Sequence, residues 1–487
     1  MMTHSTWIRP ACKARSWLVP VIAVVIALGA AQRAGAESDA HALMEGRGRD
    51  VSFPVACGAE IQPRFDAALA ALHSFWYGQA LKEFTAITEA KPDCAMAYMR
   101  KMEELAQRYS DDVEARIFYA LSLLATADGL DKTYKNQLKA GEILEQVFKE
   151  KPQHPGPSHY IIHAYDYPAL VDRALAAAQN YAICVTVVPH AIHMPSHTYV
   201  LLGRWKDAIT ANDAAEVAEA DRGTPEDRIH ALDYLVYAHL QQAQDDKAKD
   251  VLDLALKIEN DLIARKHDSG LRSRPFGVAA MEARWALERL DWATAANLPP
   301  RPSRYAYAES VPHFSRAVGL ARSGRPDEAR PDLERLAALQ KTLADAKNLY
   351  WARQVAIQLQ VANAWVDRAR GRDAEAVAQM QEAATAEETS ETHDTLSPGP
   401  IGKTAHEALG LLLLDLGRPA EAFDAFEASL RTAKNRLRSY AGAAAAADAA
   451  GNAAAARTYY TKLLELADGG TRPELMQAKA YLQQAAK

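Results

Sequence analysis

The apolar pattern of the chain repeats at an interval of 34 residues. Ala140, Ala174 and Ala208 follow one another at this interval, and each stands after a turn and opens a new helical segment. Near the C-terminus, Ala422 and Ala456 repeat the same interval. Alternating stretches of Val, Ile and Thr, which are typical of strands, are absent from the sequence. The pattern predicts an all-α chain of repeated helical hairpins that pack through small residues.

These units resemble the tetratricopeptide repeat, a helix–turn–helix of 34 residues with small residues where the paired helices touch. The resemblance implies an α-solenoid of about ten units, some of them degenerate, closed by a capping helix at residues 472–486. A further resemblance rests on four stretches: LHSFWYGQALKEFTAITEAKPDCAMAY, HYIIHAYD, PHAIHMPSHTYVLLGRWKDAI and LGRPAEAFDAFEASL. Through them the chain is similar to secreted bacterial tetratricopeptide proteins.

The first 36 residues have a different composition. A basic start is followed by an apolar run at residues 17–31 and by an A-x-A site that ends at Ala36. This order is typical of a secretory signal peptide. A membrane anchor is the alternative, but the run is short for a span and contains Pro20. We expect cleavage near Ala36, a periplasmic or secreted protein, and no stable membrane insertion after cleavage.

The rest of the chain is predicted to have four parts. An N-terminal extension covers residues 37–59, and an N-terminal array of repeats covers residues 60–296. The segment at 297–308 is rich in proline (NLPPRPSRYAY) and is predicted to be a linker. A C-terminal array with its capping helix covers residues 309–487.

Charge and cysteine content narrow the expected partners and compartment. Loss of residues 1–36 removes four basic and no acidic residues, so the net charge falls from −6 to −6 − 4 = −10. An acidic surface argues against nucleic acid as the main partner. An oxidising compartment permits a disulfide, which we predict between Cys57 and Cys94, although sequence does not determine pairing. Cys184 is then the odd cysteine, and we interpret it as a buried small residue.

The histidines are unevenly distributed. His159 and His163 are four residues apart, as are His193 and His197, and the two pairs are separated by 34 residues. Residues at this spacing lie on one face of a helix. In tetratricopeptide units the positions that these pairs occupy, 5 and 9, face the concave groove, as does position 2, where His190 stands. The window 154–197 contains six histidines: His154, His159, His163, His190, His193 and His197.

Neutral imidazole is the commonest metal ligand in proteins. We therefore predict a site for zinc, copper or iron in which the two pairs converge. Asp166, at position 12, and Glu114, on the preceding helix, are candidate catalytic carboxylates, and Asp166 is also suited to orienting a ligand. Two observations weigh against a simple metalloprotease site. Both histidine pairs lack the glutamate of H-E-x-x-H, and Pro195 lies inside HMPSH. The predicted metal ligands are His159, His163, His190, His193 and His197.

Three functions remain open at this level. The first is an exported solenoid that binds a metal ion or a small ligand in its groove. The second is a metal-dependent enzyme with hydrolytic or oxidative chemistry. The third is an envelope scaffold that binds a peptide without metal. Motifs for serine hydrolases, dinucleotide sites, P-loops and thioredoxin-type redox sites are absent from the sequence.

Overall fold

The computed structural model describes residues 51, 62–73, 110–125, 127, 131–184, 187–266, 273–390 and 404–485. Within these ranges the regular structure is helical. The predicted signal peptide, most of the N-terminal extension, and Cys57 and Cys94 lie outside the described residues. Among the described helices, none has the length and apolar character needed to cross a bilayer.

The helices follow one another as short antiparallel pairs. The first twelve are α1 (Gln62–His73), α2 (Val113–Ala125), α3 (Lys135–Glu150), α4 (Pro155–Ala164), α5 (Leu175–Cys184), α6 (Pro189–His193), α7 (Pro195–Leu201), α8 (Trp205–Arg222), α9 (Pro225–Gln241), α10 (Asp245–Ala264), α11 (Ser273–Leu287) and α12 (Trp292–Ala296). The others are α13 (Ala306–Arg322), α14 (Arg330–Asp345), α15 (Leu349–Ala369), α16 (Asp373–Thr389), α17 (Ala405–Asp415), α18 (Pro419–Thr432), α19 (Leu437–Ala449), α20 (Ala453–Leu466) and α21 (Pro473–Gln484). Short 3₁₀ turns at Val171–Ala174 and Pro326–Ala329 precede α5 and α14.

Local sequence signals set the ends of many helices. The Thr224 side chain accepts a hydrogen bond from the backbone N–H of Asp227 at the start of α9, with Pro225 in the first turn. Gly417 and Gly451 stand in the turns after α17 and α19 with φ of 69° and 74°. This left-handed conformation costs glycine little, which explains why glycine recurs there.

Small residues occupy the helix crossings. The alanines at the 34-residue interval, Ala140, Ala174 and Ala208, have 0% of their surface exposed. A larger side chain at these positions would hold the helices of a pair apart. The predicted fold class, an all-α tetratricopeptide-type helical-hairpin solenoid, is confirmed. The final helix α21 buries Leu475 and Ala478 against the last hairpin, as expected of a capping helix.

The proline-rich segment at residues 297–308 joins α12 to α13. Its last residues are part of the core, because Tyr307 stacks on Trp351 with ring centroids 4.5 Å apart. The same hydrophobic core extends from Phe276 on α11 to Ala446 on α19. The predicted boundary between two arrays therefore lies inside a continuous core.

The C-terminal repeats pack back onto helices α7 to α10. The indole N–H of Trp205 donates to the backbone oxygen of Asn435 (2.8 Å). The backbone N–H of Asp468 donates to the backbone oxygen of Gln242 (3.0 Å). Leu437 joins a hydrophobic cluster that includes Ala243. These contacts join residues 194 to 230 positions apart, so the solenoid closes on itself.

Candidate metal centre

The two predicted histidine pairs lie on the first helices of neighbouring hairpins. On α4, the rings of His159 and His163 stack with centroids 5.0 Å apart. Pro195 divides the equivalent helix into α6 and α7, yet the rings of His193 and His197 are also 5.0 Å apart. The intervening Met194 keeps helical angles (φ −51°, ψ −40°). The proline therefore interrupts the hydrogen-bond ladder and keeps both histidines on one face.

The structure divides the predicted cluster into two groups. In each, three histidines bring one ring nitrogen apiece within 4.8 Å of one another. Hairpin packing offsets neighbouring helices by about 8–10 Å, so each pair meets a histidine of the next helix instead of the opposite pair. His230 on α9 stands at position 2 of its own unit, where the sequence suggests it as an extension of the cluster rather than as one of the five main ligands. The first triad is His159, His163 and His190, and the second is His193, His197 and His230.

Hydrogen bonds fix the tautomer of two ligand candidates. His159 Nδ1 lies 2.7 Å from the backbone oxygen of His73, which only accepts hydrogen bonds. His193 Nδ1 lies 2.6 Å from Asn212 Oδ1, and the Asn212 amide N–H donates to the backbone oxygen of Ala208 (2.8 Å). The asparagine oxygen therefore faces the imidazole. In both histidines the proton lies on Nδ1, which leaves the lone pair on Nε2, as in a metal-binding imidazole.

A carboxylate orients a third histidine, His197. His197 Nδ1 lies 3.0 Å from Asp166 Oδ2, so the Nδ1–H donates to the carboxylate. On the other side of the ring, the His197 Nε2 atom lies 3.1 Å from the His193 Nε2 atom. Two imidazole nitrogens bound to one tetrahedral zinc ion at about 2.1 Å lie about 3.3 Å apart. This separation therefore matches that of two ligands on one ion.

Burial keeps four histidines of the cluster uncharged, as their lowered pKa values show. Desolvation and the neighbouring His163 hold the pKa of His159 well below its usual range. Desolvation and His230 do the same to the pKa of His193. The pKa of His190 falls to about 4 and that of His230 to about 3, for desolvation first and for nearby histidines second. Neutral imidazoles are the form that binds metal, so no proton has to leave these four residues first.

Glu114 belongs to a separate buried group. Its two carboxylate oxygens lie 2.7 Å from His73 Nε2 and 2.8 Å from His154 Nε2. Burial raises its pKa, but the contacts with both histidines outweigh burial and lower that pKa to about 2. His154 Nδ1 accepts the backbone N–H of Gly156, which sets its tautomer. The Nε2 atoms of His73 and His154 are thus hydrogen-bonded to the Glu114 carboxylate. The backbone oxygen of His73 accepts the hydrogen bond from His159. We interpret the group as a support of the first triad.

Several contacts of the cluster have no signal in the sequence. Asn212 lies on α8, the second helix of its hairpin, where an amide has no distinctive spacing. The Tyr234 hydroxyl lies 3.2 Å from His197 Nδ1. Asp233 on α9 forms a fully buried ion pair with Arg284. Met194 is buried in the hydrophobic core. These contacts join residues of different helices and arise only when the helices pack against one another.

Comparisons with known proteins show similarity at the level of helical architecture. No protein-family model matches the chain, and no curated protein matches it. Yeast Tom70 aligns with a TM-score of 0.35 and 12% identity, covering 88% of this chain and 96% of that one. The human IFIT1 dimer with m7Gppp-AAAA aligns with a TM-score of 0.33 and 14% identity, covering 90% and 87%. Scores this low carry no argument about the histidine site.

Proposed function

We propose that this helical solenoid is an exported protein that binds a transition-metal ion through its histidine cluster. One observation carries the proposal. His193 and His197 direct Nε2 atoms at each other across 3.1 Å, while Asn212 and Asp166 hold the opposite nitrogens. Two lone pairs at that distance repel each other, and a cation between or beside them removes the repulsion. Orienting partners of this kind surround most histidine ligands of metals.

A shared proton is the competing explanation for this geometry. If His197 carried a second proton, its Nε2–H would donate to His193, and the cluster would be a structural hydrogen-bond network. That explanation accounts for the second triad only. It gives no reason for the first triad, where His159, His163 and His190 gather around a similar point. The metal-binding function accounts for both.

The test is elemental analysis of the mature, untagged protein. We expect a near-stoichiometric transition metal in the wild type and a large loss in His193→Ala. His406→Ala is the matched control, because His406 forms a comparable contact with Glu388 on α16, away from the cluster. A protein without metal that also takes up none on titration with zinc, copper or iron would overturn the proposal and favour peptide binding in the groove.

Metal-dependent catalysis is the second candidate function. His163, His190 and His230 are partly exposed as residues, but the Nε2 atoms of His163 and His190 are buried, so a substrate would have to displace part of these side chains to reach a metal held there. Three protein ligands leave a coordination position for water, whose pKa a bound metal lowers. Asp166 is the better placed of the two predicted carboxylates, because it contacts His197 of the second triad, whereas Glu114 contacts His73 and His154 outside both triads. Hydrolytic or oxidative turnover that disappears with the metal would support this function.

The compartment is part of the proposal. Export rests on the signal-peptide pattern that ends at Ala36. Fractionation of cells that express the full chain tests it: recovery in the periplasm or medium, with an N-terminus near residue 37, is the expected result. Recovery of uncleaved chain in the cytoplasm would overturn it.

A further inference from the structure

The two triads use the same three repeat positions. When the units are aligned on Ala174 and Ala208, His159 and His193 occupy position 5, and His163 and His197 occupy position 9. The third histidine of each triad comes from position 2 of the following unit. These third members are His190 for the first triad and His230 for the second.

A solenoid reproduces the geometry of one hairpin in the next, because each unit packs on its neighbour in the same way. A site made of positions 5 and 9 of one unit and position 2 of the next is therefore repeated wherever the residues repeat. The series ends in the third unit, where these positions hold Asp233, Tyr237 and Gly277. Asp233 accepts a hydrogen bond from Arg284, and the Tyr237 hydroxyl accepts one from Arg436.

The triads are neighbours that share no residue. The rings of His163 and His197 are 6.1 Å apart, and those of His190 and His193 are 6.2 Å apart. These distances between the triads equal or slightly exceed the 6.1 Å that separates the rings of His197 and His230 within the second triad. Each triad also has its own orienting partner, the His73 backbone oxygen for His159 and the Asn212 amide for His193.

We propose that the cluster is a dinuclear centre that binds one metal ion in each triad. This inference rests on the proposed metal-binding function and extends it. Three imidazoles without a thiolate suit zinc or copper, and each triad leaves coordination positions open for a non-protein ligand. Ions held in both triads would supply Lewis-acid chemistry at two neighbouring points.

The test begins with stoichiometry in the wild-type chain. The full mature protein is stripped with a chelator, titrated separately with zinc sulfate and copper(II) sulfate, and assayed for metal per chain. Two equivalents of either metal support the proposal, and the metal that gives them is the one the site prefers. Zero equivalents of both would overturn the dinuclear centre, and zero equivalents in a further titration with iron(II) sulfate would overturn the proposed function as well. One equivalent would leave that function intact and overturn the dinuclear centre.

Two variants, each with one histidine of one triad replaced, test where the ions bind. His190→Ala and His230→Ala remove position 2 from the first and second triad, and both side chains are partly exposed, which limits the effect on folding. Each variant is expected to bind one equivalent, and circular dichroism confirms that it is folded. Anomalous scattering from wild-type crystals then shows two separate peaks. If each variant alone abolished all binding, the six histidines would form one shared site.

Discussion

Asp166 and His197 form a hydrogen bond of 3.0 Å that turns the other nitrogen of the imidazole toward His193. Asp166 follows α4 and His197 lies on α7, so the contact joins two successive hairpins. Its effect is to set which ring nitrogen faces the centre of the second triad. The carboxylate is therefore a positioning residue for the His197 ring, and through that ring for the metal ion that we propose.

Asp166→Asn tests this role. We expect the dissociation constant of the metal ion in the second triad to rise about 10- to 100-fold. Loss of the orienting carboxylate makes the His197 imidazole less basic and allows the tautomer with its proton on Nε2. The first metal should bind with unchanged affinity, as measured by competition with a chromophoric chelator. Asp332→Asn is the matched control, because Asp332 holds His313 at 2.7 Å outside the cluster. Equal effects of the two substitutions would contradict the assignment.

Gly319→Ala tests the close approach of α13 to α12. A Cβ there would lie 2.3 Å from the backbone nitrogen of Ala296, and backbone has no freedom to move away. We expect a loss of about 1–3 kcal/mol in the free energy of unfolding, measured by urea denaturation. Gly277→Ala is the control, because its nearest neighbour is a methyl group of Ile229 at 3.3 Å, and alanine has the higher helix propensity. Equal stability of the two variants would refute the steric argument.

Glu219 gives the chain a distinctive dependence of stability on pH. Burial, with a smaller effect of Asp227, raises its pKa from 4.5 to about 8. The folded state therefore keeps a proton that the unfolded state releases between about pH 4.5 and 8, and stability falls as pH rises through this window. Glu219→Gln removes the titration. At pH 8.5 the variant should be more stable than the wild type by on the order of 2 kcal/mol, and near pH 4 the difference should vanish. Denaturation profiles that stay parallel across this range would contradict the prediction.

Arg436 holds the closure of the solenoid. Its buried guanidinium donates to the Tyr237 hydroxyl (2.6 Å), to Glu288 (2.8 Å) and to Glu407 (2.9 Å). Arg436→Met leaves two buried carboxylates without their cation and should cost about 3–5 kcal/mol. The measurement is thermal or chemical denaturation. Arg418→Met is the control, because Arg418 pairs with Glu421 at the surface, and such pairs contribute about 0–1 kcal/mol. A small effect at Arg436 would mean that the closing contacts do not stabilise the fold.

The sequence singled out five of the six histidines that form the two triads. The pairs His159/His163 and His193/His197 are visible because residues four apart share a helix face, and because the 34-residue interval places them in equivalent hairpins. His190 follows from the same alignment. The sequence did not show that the pairs separate into two triads, since this depends on the offset between packed helices.

The sequence by itself determined the repeated helical hairpins, the small residues at their crossings and the equivalent positions of the histidine pairs. All of these follow from contacts within about 40 residues, which spacing encodes directly. Tertiary structure decided the rest: the grouping of the histidines into two triads, the tautomers that Asn212 and Asp166 impose, and the closure through Arg436. These depend on the angle between successive hairpins, and that angle is the sum of many packing contacts that no single position along the chain records.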